Sequence, residues 1–342
     1  MSYIIGIHNL RNDSTLLLHN DYLLFSIPEE RFTRKKNDEV LCSSLTFVAD
    51  ANVVTMLKAT PVFYDVKSLK DWNPSIETIT SKVTFKTKAI ILVHFAGYPI
   101  EDIEKIATFC KKNNIILIED VAHAIGASYK GQKCGTFGDM SCFSFFANKN
   151  LSTGEGGMFV TKSKKHSEKA RLYRSHGMTS MTIDRHKGNT ISYDVVQTGL
   201  NYRIDEMRSA LGCVQLKKLD NNNRKRKLIV SHYKEQIQSM IPTIIVPFAN
   251  LSEYILSSYH ILPILLPSGI SRIEVMEKLK KSGIQTSIHY PSFKALSFYK
   301  SFSNEPLQFV DEISSRVLTL PLYANMSKKM VNIVVDKLKE SI

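Results

Sequence analysis

The stretch AIILVHFAGYPIEDIEKIATFCKKNNIILIED (89–120) decides the fold. Residues 89–94 form a continuous apolar run, as a strand buried on both faces requires. From Pro99 the period changes. Ile100, Ile103, Ile106, Ala107 and Cys110 fall on one helical face, with charges between them. Asn113 and Asn114 end that helix, and 115–118 (IILI) reads as a second short buried strand. This is a β-α-β unit, with Glu119 and Asp120 at the C-terminal end of its second strand.

Working outward, the alternation continues. Residues 61–65 (PVFYD) read as a strand after an apolar helix near 45–57. Residues 141–146 (SCFSFF) and 157–161 (GMFVT) read as strands around a polar, glycine-rich turn, where Gly154, Gly156 and Gly157 permit positive φ. The class is α/β with a mostly parallel sheet, in which ligands gather at strand C-termini. From Asp205, a plausible N-cap, the pattern is helical over 206–219 and ends in KKLDNNNRKRK (217–227). A smaller α+β region follows. It has a strand near 260–266, a helix near 272–282 opened by Ser271 and Glu274 as a capping box, and a last helix near 328–341. The predicted division is 1–38, 39–228 and 229–342.

Composition bounds the function. The 342 residues are 43% hydrophobic and 23% charged, which excludes a disordered tail, a collagen-like repeat or a disulfide-stapled miniprotein. The net charge of +13 suits anionic ligands. No nucleic-acid motif or interleaved aromatics accompany 217–227, so that run reads as a solvated helix end and not a nucleic-acid surface. The five cysteines have neither C-x-x-C nor zinc-ligand spacing, so no metal is expected. Cys110, Cys142 and Cys213 interrupt apolar stretches as small hydrophobes. A reduced, cytoplasmic protein is the expectation. No apolar run reaches 18 residues and the start MSYIIGIHNLRND is not a secretory signal, so no membrane role is expected.

The chemistry is densest in EDVAHAIGASYKGQKCGTFGDMSCFSFFANKNLSTGEGG (119–157). Asp120 follows a buried strand, Ser144 sits in the next one, and Lys149 lies in the turn beyond. A desolvated lysine can act as an amine nucleophile, and an aspartate can pair with a pyridinium nitrogen. Each has an ordinary reading too. A turn lysine is commonly a solvated charge, and an aspartate after a strand is commonly a turn former. Phe47 alone is a core residue, His123 a hydrogen-bonded structural histidine and Asn201 a turn former.

Taken together, SLTFVADANVV (44–54), PVFYDV (61–66), IEDVAHAIGASYKG (118–131), FGDMSCFSFFANKNLSTGEGGMFVT (137–161), GLNYRIDEMRSALGCVQLKKL (199–219) and IHYP (288–291) resemble the DegT/DnrJ/EryC1/StrS sugar aminotransferases. That resemblance implies the aspartate aminotransferase fold, fold type I, with pyridoxal 5'-phosphate as cofactor. It makes Lys149 the Schiff-base lysine and proton shuttle, Asp120 the pyridinium partner and His123 a neighbour of the ring. Phe47 would stack on the ring and Ser144 would contact the phosphate. Asn201 would reach the cofactor phosphate of the other subunit in a homodimer. His289 and Tyr290 lie where sugar contact is possible. The implied reaction moves an amino group from glutamate to a nucleotide-linked keto-sugar in polysaccharide or glycoconjugate synthesis. Retention of lysine at 149 favours transamination over the dehydrations run by histidine-bearing relatives of the fold.

The match has a departure. The family's Ser-Gly-Thr loop, a phosphate cradle at a helix N-terminus, has no counterpart ahead of Glu39. Residues 3–38 instead resemble the start of the nodulation-type O-carbamoyltransferases, through Asp13-Ser14 and EERFTR (29–34). Two strands, 3–8 and about 15–27, are expected there, turning at Asn20-Asp21. A chimera with an aminotransferase shortened at its start is the resulting expectation. Two alternatives to the active enzyme follow: an impaired homologue that keeps fold and dimerisation, and a pyridoxal-phosphate-dependent sugar dehydratase or lyase.

Overall fold

The computed structural model describes residues 3–7, 38–179, 192–250, 252–302 and 305–342. Its centre is a seven-stranded sheet. The strands are β1 (Tyr3–Ile7), β2 (Glu39–Ser43), β3 (Thr60–Tyr64), β4 (Thr87–Val93), β5 (Ile116–Asp120), β8 (Met140–Ser144) and β9 (Gly157–Thr161), in spatial order β1-β9-β8-β5-β4-β2-β3. β3, β2, β4, β5 and β8 run parallel. β9 is antiparallel to β8, and β1 antiparallel to β9. The expected α/β class is the observed one. The strand expected at 3–8 is present as an edge of this sheet, whereas the one near 15–27 falls outside the described residues.

Helices cover the sheet: α1 (Ala49–Met56), α2 (Ile76–Thr80), α3 (Ile103–Lys112) and α4 (Lys164–Arg174). α3 buries Ile103, Ile106 and Cys110, three residues of the predicted face. Burying an aliphatic side chain of that size contributes about 1.5–3 kcal/mol. The helix ends at Asn113, followed by Asn114 at φ 54°. Gly154 (φ 79°) and Gly156 (φ 149°) have the backbone freedom the turn requires, but Gly157 already belongs to β9.

The largest difference from the sequence reading is α5. It spans Glu206–Met240, 35 residues, and does not stop near 219. Asp205 caps it as expected, accepting from Arg208 N at 2.8 Å. The basic run is one stretch of a longer helix, so the expected boundary between 228 and 229 falls inside it. Short pairs β6 (Ser128–Tyr129) and β7 (Gln132–Lys133) meet β10 (Ile255–Leu256). The C-terminal part pairs β11 (Leu262–Leu265) with β12 (Val317–Leu320) in antiparallel register. α6 (Arg272–Lys281), α7 (Gln308–Arg316) and α8 (Lys328–Ser341) complete it, and α8 packs on α5 and α6. Ser271 Oγ accepts from Glu274 N at 3.4 Å at the start of α6.

The two parts are tied by polar contacts as well as by a shared apolar core. Asp65, just past β3, accepts from Phe309 N and Val310 N at 3.0 Å each and so caps α7 from across the chain. Tyr233 of α5 is fully buried and donates to Pro321 O at 3.0 Å. All five cysteines are free. Cys213, expected to behave as a small hydrophobe, is exposed, because it lies in the first part of α5, where no residue before Leu219 is buried.

Candidate active site

The parallel strands end on one side of the sheet, and the chemistry collects there. β5 ends at Asp120, and the chain turns at once, with Ala122 N donating to Asp120 Oδ1 at 2.7 Å. His123 follows in that turn. β8 ends at Ser144, and Lys149 lies in the next turn, its N–H donating to Phe146 O at 2.9 Å. Phe47 precedes α1. His289 and Tyr290 arrive from the C-terminal part. Phe47, Asp120, His123, Lys149, His289 and Tyr290 line one cavity, together with Thr46, Ala49, Val93, Ala122, Phe146 and Asn148.

Its electrostatics suit an amine nucleophile. Burial pushes the Lys149 ammonium down to about 8, against the charge of Asp120, which favours the ammonium. A fraction of neutral amine therefore exists near neutral pH. His289 is pushed down to about 4, first by burial and then by Lys149. It is thus an uncharged ring, and its Nδ1 lies 2.9 Å from Thr319 Oγ1. Tyr290 Oη lies 3.1 Å from His123 Nε2. Its ring is 6.0 Å from that of Phe47, which is 39% exposed and overhangs the cavity.

Two expected residues stand apart. Ser144 is buried at 1% exposure and its Oγ accepts from Phe146 N at 3.3 Å, so it does not line the cavity. Asn201 is exposed and bridges to Ser175, also outside the cavity. Both lie in backbone segments whose direction the sequence does not specify.

The structure adds residues that sequence reasoning missed. His260 is buried, and its ring centroid lies 4.5 Å from that of His123. Burial first, then Lys149, Arg226 and His289, push it well below the usual histidine range. Asn150 accepts at Oδ1 3.0 Å from His260 Nδ1 and donates to Ser258 O and Asn223 Oδ1 at 2.7 and 2.9 Å. Asn223 and Arg226 come from the run read as a solvated helix end. That reading is corrected here, because one face of the run turns inward. Asn223 is buried and donates to Ile125 O at 3.1 Å. Arg226 donates to Tyr259 O, His260 O and Leu322 O at 3.4, 3.1 and 3.3 Å. A helical spacing of buried Leu219, Asn223 and half-buried Arg226 is the signal that a longer window would have exposed.

A model of the DegT/DnrJ/EryC1/StrS aminotransferase family matches residues 27–339. The chain belongs to that family. Among curated relatives, it is 35% identical over 335 residues to the UDP-4-amino-4,6-dideoxy-N-acetyl-beta-L-altrosamine transaminase of Campylobacter jejuni, covering 96% of this chain and 83% of that one. It is 31% identical over 330 residues to the GDP-perosamine synthase of Escherichia coli O157:H7, covering 96% and 84%. Among solved structures it resembles the sugar aminotransferase Spr1654 of Streptococcus pneumoniae in its PLP-form. The TM-score is 0.81 at 26% identity, covering 99% of this chain and 86% of that one. The same protein is also known in a PMP-form.

Fold type I is thereby established for the chain, and pyridoxal phosphate is the cofactor of the family. The cavity fits the ring end of that group on its own chemistry. It offers a desolvated amine, a buried carboxylate and an aromatic overhang within one enclosure. No helix among the described residues is long and apolar enough to cross a membrane.

Proposed function

We propose that the protein transfers an amino group from glutamate to a keto-sugar carried on a nucleotide diphosphate, in the synthesis of a polysaccharide or glycoconjugate. The observation that carries this reading is the desolvated Lys149 amine sharing a cavity with the carboxyl of Asp120. Relatives that act on UDP- and GDP-linked sugars support the substrate class.

Bound pyridoxal phosphate supplies an electron sink that stabilises a carbanion next to the transferred nitrogen. The chain's own residues do the rest. Lys149 would hold the cofactor through its carbonyl carbon, with loss of water, and, once freed as an amine, would carry a proton to and from the reacting carbon. Its depressed basicity keeps it competent near neutral pH. Asp120 would hold the pyridine nitrogen in its protonated form. Phe47 would stack on the ring, and His123, hydrogen-bonded to Tyr290, would lie beside it. Neutral His289 and the Tyr290 ring wall the sugar side and exclude water. The family resemblance gives Ser144 and Asn201 the phosphate, Asn201 across a homodimer, although neither lines the cavity of the single chain. Exposed Met207, Leu211 and Val214 at helical spacing on α5, near Asn201, give such a dimer an apolar face.

The test is direct. The purified chain, given pyridoxal phosphate, develops visible absorbance, and with glutamate it aminates a nucleotide-linked keto-sugar detected by mass spectrometry. Lys149→Ala abolishes both. Wild-type protein without absorbance at saturating cofactor overturns the reading. A second reading, weak cofactor retention, has one observation behind it. Of the residues lining the cavity, Lys149 alone is a lysine or arginine, so the phosphate needs groups from elsewhere. A titration of absorbance against cofactor concentration separates the two.

A further inference from the structure

α1 brings a second carboxyl group against the first. Asp50, in the opening turn of α1, is 1% exposed. Thr46 Oγ1 donates to its Oδ2 at 2.8 Å. Its Oδ1 is buried and receives no hydrogen bond from any donor in the described structure. The charged group that bears on the Asp50 side chain is the neighbouring carboxyl of Asp120.

Among the described residues, no positively charged group is paired with Asp50. The titratable groups that sense it are Cys42 of β2, Tyr64 of β3, Cys142 of β8 and Tyr290, all neutral at physiological pH. Lys149 answers to Asp120. Two carboxylates in contact and away from water cannot both stay ionised, so the pair keeps one proton. Asp120 already accepts from Ala122 N, which favours the anion there. Asp50 has only a hydroxyl on one oxygen and no donor at the other.

We propose that Asp50 is a positioning residue that holds this proton and donates it as an O–H hydrogen bond from Oδ1 to the Asp120 carboxylate. Burial and the charge of Asp120 push its carboxyl well above the usual carboxylate range, in keeping with a neutral acid. An O–H donated to a carboxylate is a strong, short bond. It stops the Asp120 carboxylate from rotating and leaves the pair a single negative charge for the pyridine nitrogen. The inference rests on the assignment of Asp120 as the nitrogen's partner.

The test uses the full chain, with and without pyridoxal phosphate. At neutral pH the infrared spectrum of the cofactor-free protein is expected to contain a protonated-carboxyl stretching band that Asp50→Asn removes. The absence of that difference overturns the proposal. In cofactor titrations, Asp50→Asn keeps an N–H donor and is expected to lose about threefold or less in affinity. Asp50→Ala, without a donor, is expected to lose about tenfold or more, the range for a hydrogen bond to a charged group. The pH at which the visible absorbance of the loaded protein changes should move in the alanine variant and hold in the asparagine variant. Equal behaviour of the two variants overturns the proposal. Should Asp50→Ala not fold, a loss beyond tenfold in Asp50→Asn does so alone. Wild-type protein with the infrared band but no visible absorbance would overturn the functional reading while leaving the proton on Asp50.

Discussion

Glu119 and Asp120 are neighbours at the end of β5, both buried, yet they meet opposite environments. Glu119 is fully excluded from water and fully answered. His94 Nε2 lies 3.0 Å from its Oε2, and the N–H groups of Gly135, Phe137 and Gly138 donate to it at 2.7 Å each. Ile100 N donates to His94 Nδ1 at 3.2 Å, so the ring is neutral and donates from Nε2 to Glu119. One step along the strand, the side chain points to the other face. There Asp120 meets another carboxyl and a desolvated amine, with a cavity between. A buried charge with every lone pair filled stabilises a fold. A buried charge set beside a second acid, a desolvated amine and a hollow is poised for a ligand.

The largest effect should come from breaking the answered side. Glu119→Gln sets an amide N–H group against the backbone and imidazole N–H groups that now donate to the carboxylate and should cost about 3–5 kcal/mol in chemical denaturation.

The cavity side should behave in reverse. Lys149→Met should stabilise the cofactor-free protein by on the order of 2 kcal/mol near neutral pH, read by thermal melting, because a desolvated ammonium is removed. The folded-state value of about 8 lies below the ordinary 10.5, so the unfolded chain binds more protons between them and wild-type stability rises with pH there. The gain in the variant should be greatest below pH 8 and shrink toward 10.5. A destabilised Lys149→Met protein would break the contrast between the two sides.

The smallest effect is expected at the joint between the two parts of the chain. Tyr290→Phe deletes the hydroxyl beside His123 Nε2 and should cost about 1 kcal/mol in cofactor binding, several-fold in affinity by absorbance titration. Stability of the cofactor-free protein should change little.

Much of this was legible in the chain itself. Continuous apolar runs could only be strands covered on both faces, and the helical period of Ile103, Ile106 and Cys110 fixed which side of α3 meets the sheet. Asp120, His123 and Lys149 are close in sequence and sit in turns between neighbouring strands, so local order carried them to one cavity. Asp50, His260, Asn223 and Arg226 were not legible as site residues. They lie 70 to 140 positions from Asp120, and each alone looks like an ordinary polar residue of a helix or strand. The basic run misled for a similar reason. Its charge count describes the solvent face of α5 and hides the face that donates to Ile125, Tyr259 and His260.

The sequence by itself determined the sheet, the order of its elements and the lysine and aspartate at the strand ends. These follow from periodicity and short-range connection, which depend on neighbours along the chain. Only the tertiary structure decided that Asp50 faces Asp120, that α5 continues to Met240 with an inward face, and that Tyr290 reaches His123. Those pairings cross large sequence separations, and the packing that enforces them has no local signature.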